Sequence, residues 1–394
     1  MPSSPMPDSH RLWLILRLLP EMTRVRFYTL IDHFQAPDIV LGAPAQEIAS
    51  LRGFNGQLAG AILGAPRTVP LEREMELMEK HGARLLTIRD DEYPENLRQS
   101  SFPPPILFIR GALEPNDRYS LAIVGARQAT QYGHAVAQKF ASRLAACGLT
   151  VVSGFARGID SAAQRAALHA GGRTIAVLGN GLAVCYPPEN ARLADEIAAR
   201  GALVSEYPMK TPPERFNFPE RNHIIAAISL GTMVVEAAEK SGALITANQA
   251  NEENRFVFAV PGDITRMNSR GTNALIQAGA KLVQRPEDIL AEMRELLRGY
   301  LREEDFGGGE TDKDGTEKKQ PSGQNGPQPA AAILTDDETA VLEMIRQEPH
   351  HFDTIAAKID PAKITVARLS SILLSLELKQ RIKQMPGRLY MVLE

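Results

Sequence analysis

The stretch LTVVSGFARGIDSAAQRAAL, residues 149–168, contains a predicted strand, a glycine-bearing turn and a predicted helix in immediate succession. Its first residues are apolar or β-branched at consecutive positions, which is typical of a strand that is covered on both faces. The alanine-rich segment after the turn has the apolar spacing of an amphipathic helix. A strand covered on both faces and followed by a helix is the repeating unit of a parallel α/β sheet.

The same alternation continues on both sides of this stretch. Short β-branched runs recur, mostly with amphipathic helical stretches between them, at residues 106–110, 121–125, 174–179, 202–206, 233–237, 255–262 and 280–283. Together with residues 149–154 they make eight strands. We therefore predict an α/β fold with an extended Rossmann-like, doubly wound parallel sheet, and we assign it to residues 85–301.

Residues 1–84 are predicted to form a helical domain of their own. Apolar residues recur at three- and four-residue spacing through residues 10–100, and a glycine-containing turn at residues 52–56 separates two short helices. This pattern is compatible with a sterile-alpha-motif-like (SAM-like) or helix-hairpin-helix bundle. Such helix pairs either touch DNA phosphates through backbone N–H groups or, more commonly, only pack against each other.

The C-terminal quarter of the chain contains a predicted linker and a small domain. Residues 302–332 are rich in Gly, Pro and charge, which predicts a disordered linker. Residues 333–394 contain three predicted helices and a hairpin with Pro386-Gly387 at its turn, the layout of a winged-helix domain. Its basic residues leave duplex-DNA binding open, but acidic residues nearly balance them, and protein contact or a solvated face fits equally.

Composition limits the functions that the chain can have. The 394 residues carry a net charge of −3, so a nucleic-acid site has to be a local basic patch. Cys147 and Cys185 lack CxxC spacing and the eight histidines form no cluster, which argues against a disulfide framework or a zinc site. The apolar run near the start is short and contains Arg17, so we expect no signal peptide, no membrane span and a cytoplasmic location.

Glycine-bearing turns follow three of the predicted strands, at residues 125–127, 153–160 and 179–181. Glycine lets the backbone turn sharply and brings N–H groups against an anion at a helix start, although helix packing also requires small residues. Three such turns in one sheet, with Arg127 in the first, predict a phosphate-binding edge. Neither the dinucleotide fingerprint nor a P-loop matches, so no cofactor and no ATP hydrolysis are expected.

Ser241 and Gly242 begin another predicted helix after a strand. Ser241 either leaves free N–H groups pointing to the same edge of the sheet or is an ordinary helix cap. Glu236 and Glu239 lie nearby. Carboxylates in such positions more often form a solvated face or bind an arginine than act in catalysis.

The loop YPMKTPPERFNFPERN, residues 207–222, interleaves basic and aromatic side chains. In a parallel sheet such a loop lies at the carboxyl edge of the strands, where ligands bind. Phosphates need positive charge and unpaired bases need flat apolar faces, so the loop favours a single strand of nucleic acid. The alternative is a proline-stiffened connector whose phenylalanines pack into a core.

Seven ordered segments of the chain resemble the DNA-processing protein A family (DprA, also called Smf). They lie at residues 123–133, 153–168, 176–190, 213–229, 234–250, 259–262 and 271–280. The resemblance implies a protein that binds single-stranded DNA during natural transformation (competence), protects it and helps to load the recombinase RecA. It also implies a homodimer formed through the Rossmann domain.

The resemblance implies a binding pocket as well. By correspondence with the family's motifs, the pocket consists of Arg127, Ser153, Gly154, Gly158, Asp160, Phe218, Arg221 and Asn222. To these we add four residues from the patterns above: Gly125, Lys210, Ser241 and Gly242. The sequence departs from the family pattern at Ala126, Gln164 and His223, where the family usually has Ser, His and Arg.

We therefore expect a sequence-tolerant DNA-binding protein that performs no chemical step. Arg127, Lys210 and Arg221 would neutralise phosphates, and Phe218 would stack on a base. The rival hypothesis is an enzyme, because residues 229–236 resemble part of the lysine-decarboxylase-like nucleotide phosphoribohydrolases. The leading PGG of that motif is replaced here by Ile228-Ser229-Leu230, which removes much of its phosphate-binding loop.

Overall fold

A computed structural model describes residues 6–306 and, beyond them, 341–343, 350–351, 354–355, 368–369, 372–373, 376, 382–385 and 389–392. The chain divides into two compact units, Met1–Glu310 and Thr311–Glu394. No helix in these described ranges is both long and apolar enough to cross a membrane.

Six helices precede the sheet. They are α1 (Asp8–Arg17), α2 (Arg24–Phe34), α3 (Pro37–Gly42), α4 (Ala45–Ser50), α5 (Gly56–Thr68) and α6 (Leu71–Lys80). Side-chain caps fix two of their starts, because Thr23 accepts from the N–H of Arg26 and Asn55 accepts from the N–H of Leu58. The predicted glycine-containing turn thus ends in an asparagine cap.

A nine-stranded sheet forms the centre of the first unit. Its strands are β1 (Ala83–Thr87), β2 (Ile106–Gly111), β3 (Ser120–Val124), β4 (Thr150–Ser153), β5 (Thr174–Val177), β6 (Ala202–Ser205), β7 (Gly231–Val234), β8 (Phe256–Ala259) and β9 (Lys281–Leu282). Their spatial order is β1-β2-β6-β5-β4-β3-β7-β8-β9. All eight predicted strands are present, as β2 to β9. The seven strands from β6 to β9 in this spatial order are parallel, which confirms the predicted α/β class.

Two features of this sheet differ from the prediction. Strand β1 lies in a region whose spacing predicts only helix, and β2 pairs antiparallel with both β1 and β6. The five residues of β1 carry too little period-two pattern to stand out from the amphipathic helix α6 just before it. The direction of β2 could not be predicted from its own apolar residues, because it depends on the connection that precedes the strand.

Helices cover both faces of the sheet. They are α7 (Glu95–Arg98), α8 (Gln131–Ala146), α9 (Ile159–His169), α10 (Ala191–Arg200), α11 (Asn217–Ile228), α12 (Gly242–Glu252), α13 (Met267–Gln277), α14 (Pro286–Glu292), α15 (Arg294–Leu297) and α16 (Glu303–Phe306). Alternate residues of β3 enter different cores: Leu121 packs with residues of α8 and α9, and Ala122 packs with residues of α11 and α12. Because successive side chains of a strand point to opposite faces of the sheet, one apolar strand contributes to the cores on both faces.

The N-terminal helices share a core with one end of the sheet. Trp13, Phe27 and Ile62 belong to the same buried cluster as Phe108 of β2 and Met209 after β6. The helices are thus part of the first compact unit. A domain boundary at residue 84 stays a prediction.

The described residues of the second unit include a small antiparallel sheet. Its strands β10 (His350–His351), β11 (Ile382–Met385) and β12 (Leu389–Val392) are ordered β10-β12-β11. Buried side chains from helical and strand positions form its core: Val341, Ile355, Leu369, Ile372, Leu373, Leu376, Ile382 and Tyr390. The predicted turn at Pro386-Gly387 lies outside the described residues, as does the predicted linker of residues 302–332 from residue 307 onward. The prediction of disorder is wrong at the start of that linker, because Glu303–Phe306 forms the short helix α16.

Candidate nucleic-acid interface

The strand order reverses between β3 and β7, and an open cleft lies at the carboxyl ends of these two strands. Strands β4, β5 and β6 follow on one side of β3, whereas β7, β8 and β9 follow on the other. In open α/β sheets this reversal leaves a crevice that binds ligands. The cleft has a volume of about 690 Å³, and we call it the switch-point cleft. Its lining includes Gly125, Arg127, Asp160, Arg215, Phe218, Arg221, Asn222, Ser241, Gly242 and Thr246.

The charged residues that line the switch-point cleft include more cations than anions. They are three arginines, at positions 127, 215 and 221, and one carboxylate, at Asp160. The whole chain carries a net charge of −3. The cleft is therefore the kind of local basic patch that a polyanion requires on an acidic protein.

Arg127 and Phe218 form an exposed cation–ring pair in the cleft. The guanidinium carbon of Arg127 lies 5.1 Å from the ring centroid of Phe218. Gly179, in the turn after β5, leaves room for this ring, because a Cβ at that position would lie 2.8 Å from Cδ1 of Phe218. Arg127 is exposed and Phe218 is half-buried, so both remain accessible to a ligand.

Arg221 lies beneath this pair and is buried, with 3% of its surface exposed. Its Nη1 donates to the carbonyl of Gly154 at 2.6 Å and to the carbonyl of Val177, at the ends of β4 and β5. Its guanidinium carbon lies 5.7 Å from the Phe218 ring, and burial lowers its pKa to about 10. The side chain supports the ring from inside the protein, and its predicted contact with phosphate stays a prediction.

Asp160 lies in the first turn of α9, and its side chain reaches back into the glycine-bearing turn after β4. Its Oδ2 accepts the N–H of Gly154 at 3.0 Å and the N–H of Ala156 at 3.4 Å. Burial raises the pKa of Asp160, and the nearby charge of Arg221 opposes that rise. Ser153 is also turned inward, because its hydroxyl donates to the carbonyl of Ile123 at 2.7 Å. The N–H of Gly154, which the sequence offers to an anion, is thus already bonded within the protein.

Gly158 lets the turns after β3 and β4 lie against each other. Its φ of +75° is in the left-handed region, and a Cβ there would overlap the carbonyl of Ala126. Gly125 lines the cleft directly after β3. Close packing of the two turns therefore explains why a glycine is required at position 158.

The start of α12 forms another part of the cleft wall. The Ser241 hydroxyl accepts the N–H of Ala243 at 3.3 Å, so Ser241 caps α12, and its contact with DNA stays a prediction. Asn222 donates to the carbonyl of Gly242 at 3.3 Å and accepts from Nε of Arg221 at 3.2 Å. Asn222 therefore joins the buried arginine to this wall.

Lys210 and His223 are not among the residues that line the switch-point cleft. Lys210 is exposed on the loop before α11. His223 lies 3.1 Å from the hydroxyl of Ser100 and 3.7 Å from the carboxylate of Glu253, and burial lowers its pKa. Gln164, another of the three departures from the family pattern, is buried and donates to the carbonyl of Ile175 at 3.3 Å.

The two candidate carboxylates have structural partners. Glu236 is buried and accepts the N–H of Thr130 at 2.9 Å and the Thr130 hydroxyl at 2.5 Å, which fixes the start of α8. Glu239 is exposed and lies 3.6 Å from Arg270. Across the described ranges, three or more His, Cys, Asp or Glu side chains nowhere meet in a group that could hold a metal ion.

The structure adds residues that the sequence did not single out. Tyr186 lines the cleft, and its ring centroid lies 6.0 Å from that of Phe218. Arg157 lines an adjoining pocket beside Phe218 and pairs with Glu189. Both residues belong to segments that resemble the family. A single tyrosine or arginine forms no pattern in the sequence, so only the structure shows that these two lie at the cleft.

Comparison with known proteins gives matches over both units. The family model described as DNA recombination-mediator protein A matches residues 84–294, and the DprA winged helix domain matches residues 325–388. The second match confirms the fold predicted for the C-terminal domain.

Individual proteins are similar over much of the chain. Protein Smf from Synechocystis sp. is 33% identical over 390 residues, 96% of this chain and 97% of that protein. DNA processing protein DprA from Streptococcus pneumoniae is 45% identical over 206 residues, 52% of this chain and 73% of that protein. The X-ray structure of DNA processing protein A from S. pneumoniae matches with a TM-score of 0.64 and 36% identity, over 73% of this chain and 99% of that chain.

Proposed function

The chain belongs to the DNA recombination-mediator protein A family, and from that premise we propose that it binds single-stranded DNA in the switch-point cleft. The observation that carries this proposal is the Arg127–Phe218 pair, a cation and an aromatic ring held together in a cleft with a positive balance of charge. Phosphates are attracted to the guanidinium, and an unpaired base stacks on the ring.

We assign most of the residues around the cleft one of two roles in binding. Arg127, Arg215 and Phe218 contact the strand, and the wall formed by Ser241 and Gly242 borders it. Gly154, Asp160 and Arg221 hold the floor on which Phe218 lies. Lys210 is exposed outside the cleft and acts on the strand over a longer distance, which salt screens more strongly.

Protection of incoming DNA, loading of RecA and a cytoplasmic homodimer are further parts of the proposal. Family membership supports them, because the matching family model is that of DNA recombination-mediator protein A and the relative from S. pneumoniae is a DNA processing protein. The described contacts of the chain identify no residue for these roles. Experiments on the purified chain can test the binding step separately from them.

We also propose that binding involves no chemical step. Glu236, a carboxylate that the sequence offers for one, holds the start of α8 through Thr130. Asp160, the carboxylate that lines the cleft, accepts the N–H groups of Gly154 and Ala156. Release of free base from nucleoside monophosphates would favour the phosphoribohydrolase hypothesis instead.

A fluorescence titration with an unpaired oligonucleotide tests the proposal through Arg127→Ala. We expect affinity to fall roughly tenfold, because a charge-assisted contact is lost. The slope of log affinity against log salt should decrease by about 0.7, the value for one phosphate contact on a single strand.

Arg118→Ala is the matched control. Arg118 is exposed just before β3, at its amino end, and its guanidinium carbon lies 4.6 Å from the ring centroid of Tyr119. It repeats the cation–ring pair at the opposite edge of the sheet, so affinity and slope should stay at the wild-type values. Equal affinity and slope for wild type and Arg127→Ala would refute the proposed site.

A further inference from the structure

The loop between β6 and α11 is attached to the N-terminal helices at its first residues. Arg17 of α1 donates to the carbonyl of Glu206 from Nε at 3.2 Å and from Nη2 at 3.0 Å. Arg24 of α2 pairs with the Glu206 carboxylate at 2.7 Å. Glu74 of α6 accepts the N–H of Met209 at 2.5 Å. Three helices thus hold the same short segment of the loop.

Glu74 is unusual among the acidic residues of α6. It is 6% exposed, whereas Glu72, Glu76 and Glu79 are exposed. A buried carboxylate loses its hydration and needs hydrogen-bond donors in return, and burial raises the pKa of Glu74. The backbone N–H of Met209, a residue that is itself fully buried, donates to it.

A second contact connects this held segment to the DNA-binding residues. Tyr207 is buried, and its hydroxyl lies 3.3 Å from the carbonyl of Asn217 and 3.1 Å from the carboxylate of Glu220. Asn217 is the first residue of α11, and Phe218 is the next. The position of Phe218 is therefore coupled through Tyr207 to the segment that Glu74 holds.

We propose that Glu74 is a positioning residue for DNA binding, which fixes the loop so that Phe218 faces the switch-point cleft. The residues that line the cleft all lie between positions 124 and 246, so Glu74 acts without touching the strand. This inference rests on the proposed function, and it makes the N-terminal helices determinants of affinity for single-stranded DNA.

The test compares Glu74→Met with Glu74→Gln in the full chain, titrated with the same unpaired oligonucleotide. Met fills a similar volume but cannot accept from Met209, so the loop populates displaced conformations and apparent affinity falls about three- to tenfold. Gln keeps an acceptor oxygen and should bind within about twofold of wild type. The salt slope should stay unchanged in both, because no phosphate contact is lost.

Glu76→Met, on the exposed side of α6, is the matched control and should bind as wild type does. Tyr207→Phe is the second variant, because it removes only the hydroxyl that reaches Asn217 and should fold even if Glu74→Met does not. A fall in its affinity at unchanged salt slope supports the inference.

Wild-type affinity in Tyr207→Phe and in any folded Glu74→Met overturns the inference, even if the latter melts at a lower temperature. If Arg127→Ala weakens binding in the same series, the proposed function survives that result. If Arg127→Ala also binds as wild type does, the proposed function has failed as well.

Discussion

The rim of the switch-point cleft (Arg127, Arg215 and Phe218) and its floor (Gly154, Asp160 and Arg221) both contain arginine, but the arginines differ in burial. On the rim, Arg127 is exposed and lies against Phe218. On the floor, Arg221 is buried and its donors are directed to the carbonyls of Gly154 and Val177. Two arginines on the same aromatic ring are thus available to different partners, one to a ligand and the other to the protein's own backbone.

This difference shows that burial, and not residue type, assigns the roles in the cleft. A buried guanidinium that loses its partners is strongly destabilising, whereas an exposed one is solvated by water when its partner is absent. Substitutions on the floor should therefore act mainly on stability, and substitutions on the rim mainly on affinity. The predictions below test that division.

Asp160→Ala should have the largest effect, and on stability. It leaves the N–H of Gly154 without its acceptor and removes the carboxylate whose charge acts most strongly on buried Arg221. Leaving a buried hydrogen-bond donor unpaired typically costs about 1–3 kcal/mol, and the uncompensated charge of Arg221 adds to this, so the total should be roughly 3–5 kcal/mol. We expect a loss of that size in the free energy of unfolding, measured by urea denaturation.

Glu189→Ala is the control for this prediction. Glu189 also pairs with an arginine, Arg157, but both side chains are exposed, so solvent screens the pair. Its free energy of unfolding should be close to that of wild type. If Asp160→Ala unfolds at the same urea concentration as Glu189→Ala, the floor does not stabilise the fold and the division between rim and floor is wrong.

Phe218→Ala should have the next largest effect, and on affinity. Stacking of a base on an aromatic side chain contributes on the order of 1–3 kcal/mol. We expect a loss of that size in the binding free energy for an unpaired oligonucleotide, with an unchanged salt slope because no charge is removed. Fluorescence titration at several salt concentrations measures both quantities.

Phe216→Ala separates stacking in the cleft from a general effect of exposed rings. Phe216 is 67% exposed two residues earlier and is not among the residues that line the cleft. Affinity should be near wild type for this variant. A loss equal to that of Phe218→Ala would mean that the strand stacks along the loop and not in the cleft.

Features of the fold and the cleft that depend on neighbouring residues could be predicted from the sequence, whereas those that depend on contacts between distant residues could not. The eight predicted strands are confirmed because each has a local run of β-branched residues, whereas the short β1 has too few residues to show its period. Burial on the floor is not local: Arg221 reaches a carbonyl 44 residues away, at Val177. Glu74 meets Met209 across 135 residues, so neither segment reveals the contact by itself.

Arg215→Ala and Lys210→Ala should have the smallest effects and test where the rim ends. Arg215 lines the cleft and Lys210 does not, although both are exposed on one loop. Removing Arg215 should lower the salt slope by about 0.7, as the loss of one phosphate contact does on a single strand. Removing Lys210 should lower it by less, because charges about 10 Å or more from the strand are largely screened at 0.1 M salt. Equal salt slopes for the two variants would mean that Lys210 also belongs to the rim. A side chain whose removal lowers the slope as much as that of Arg215 has to lie as close to a phosphate.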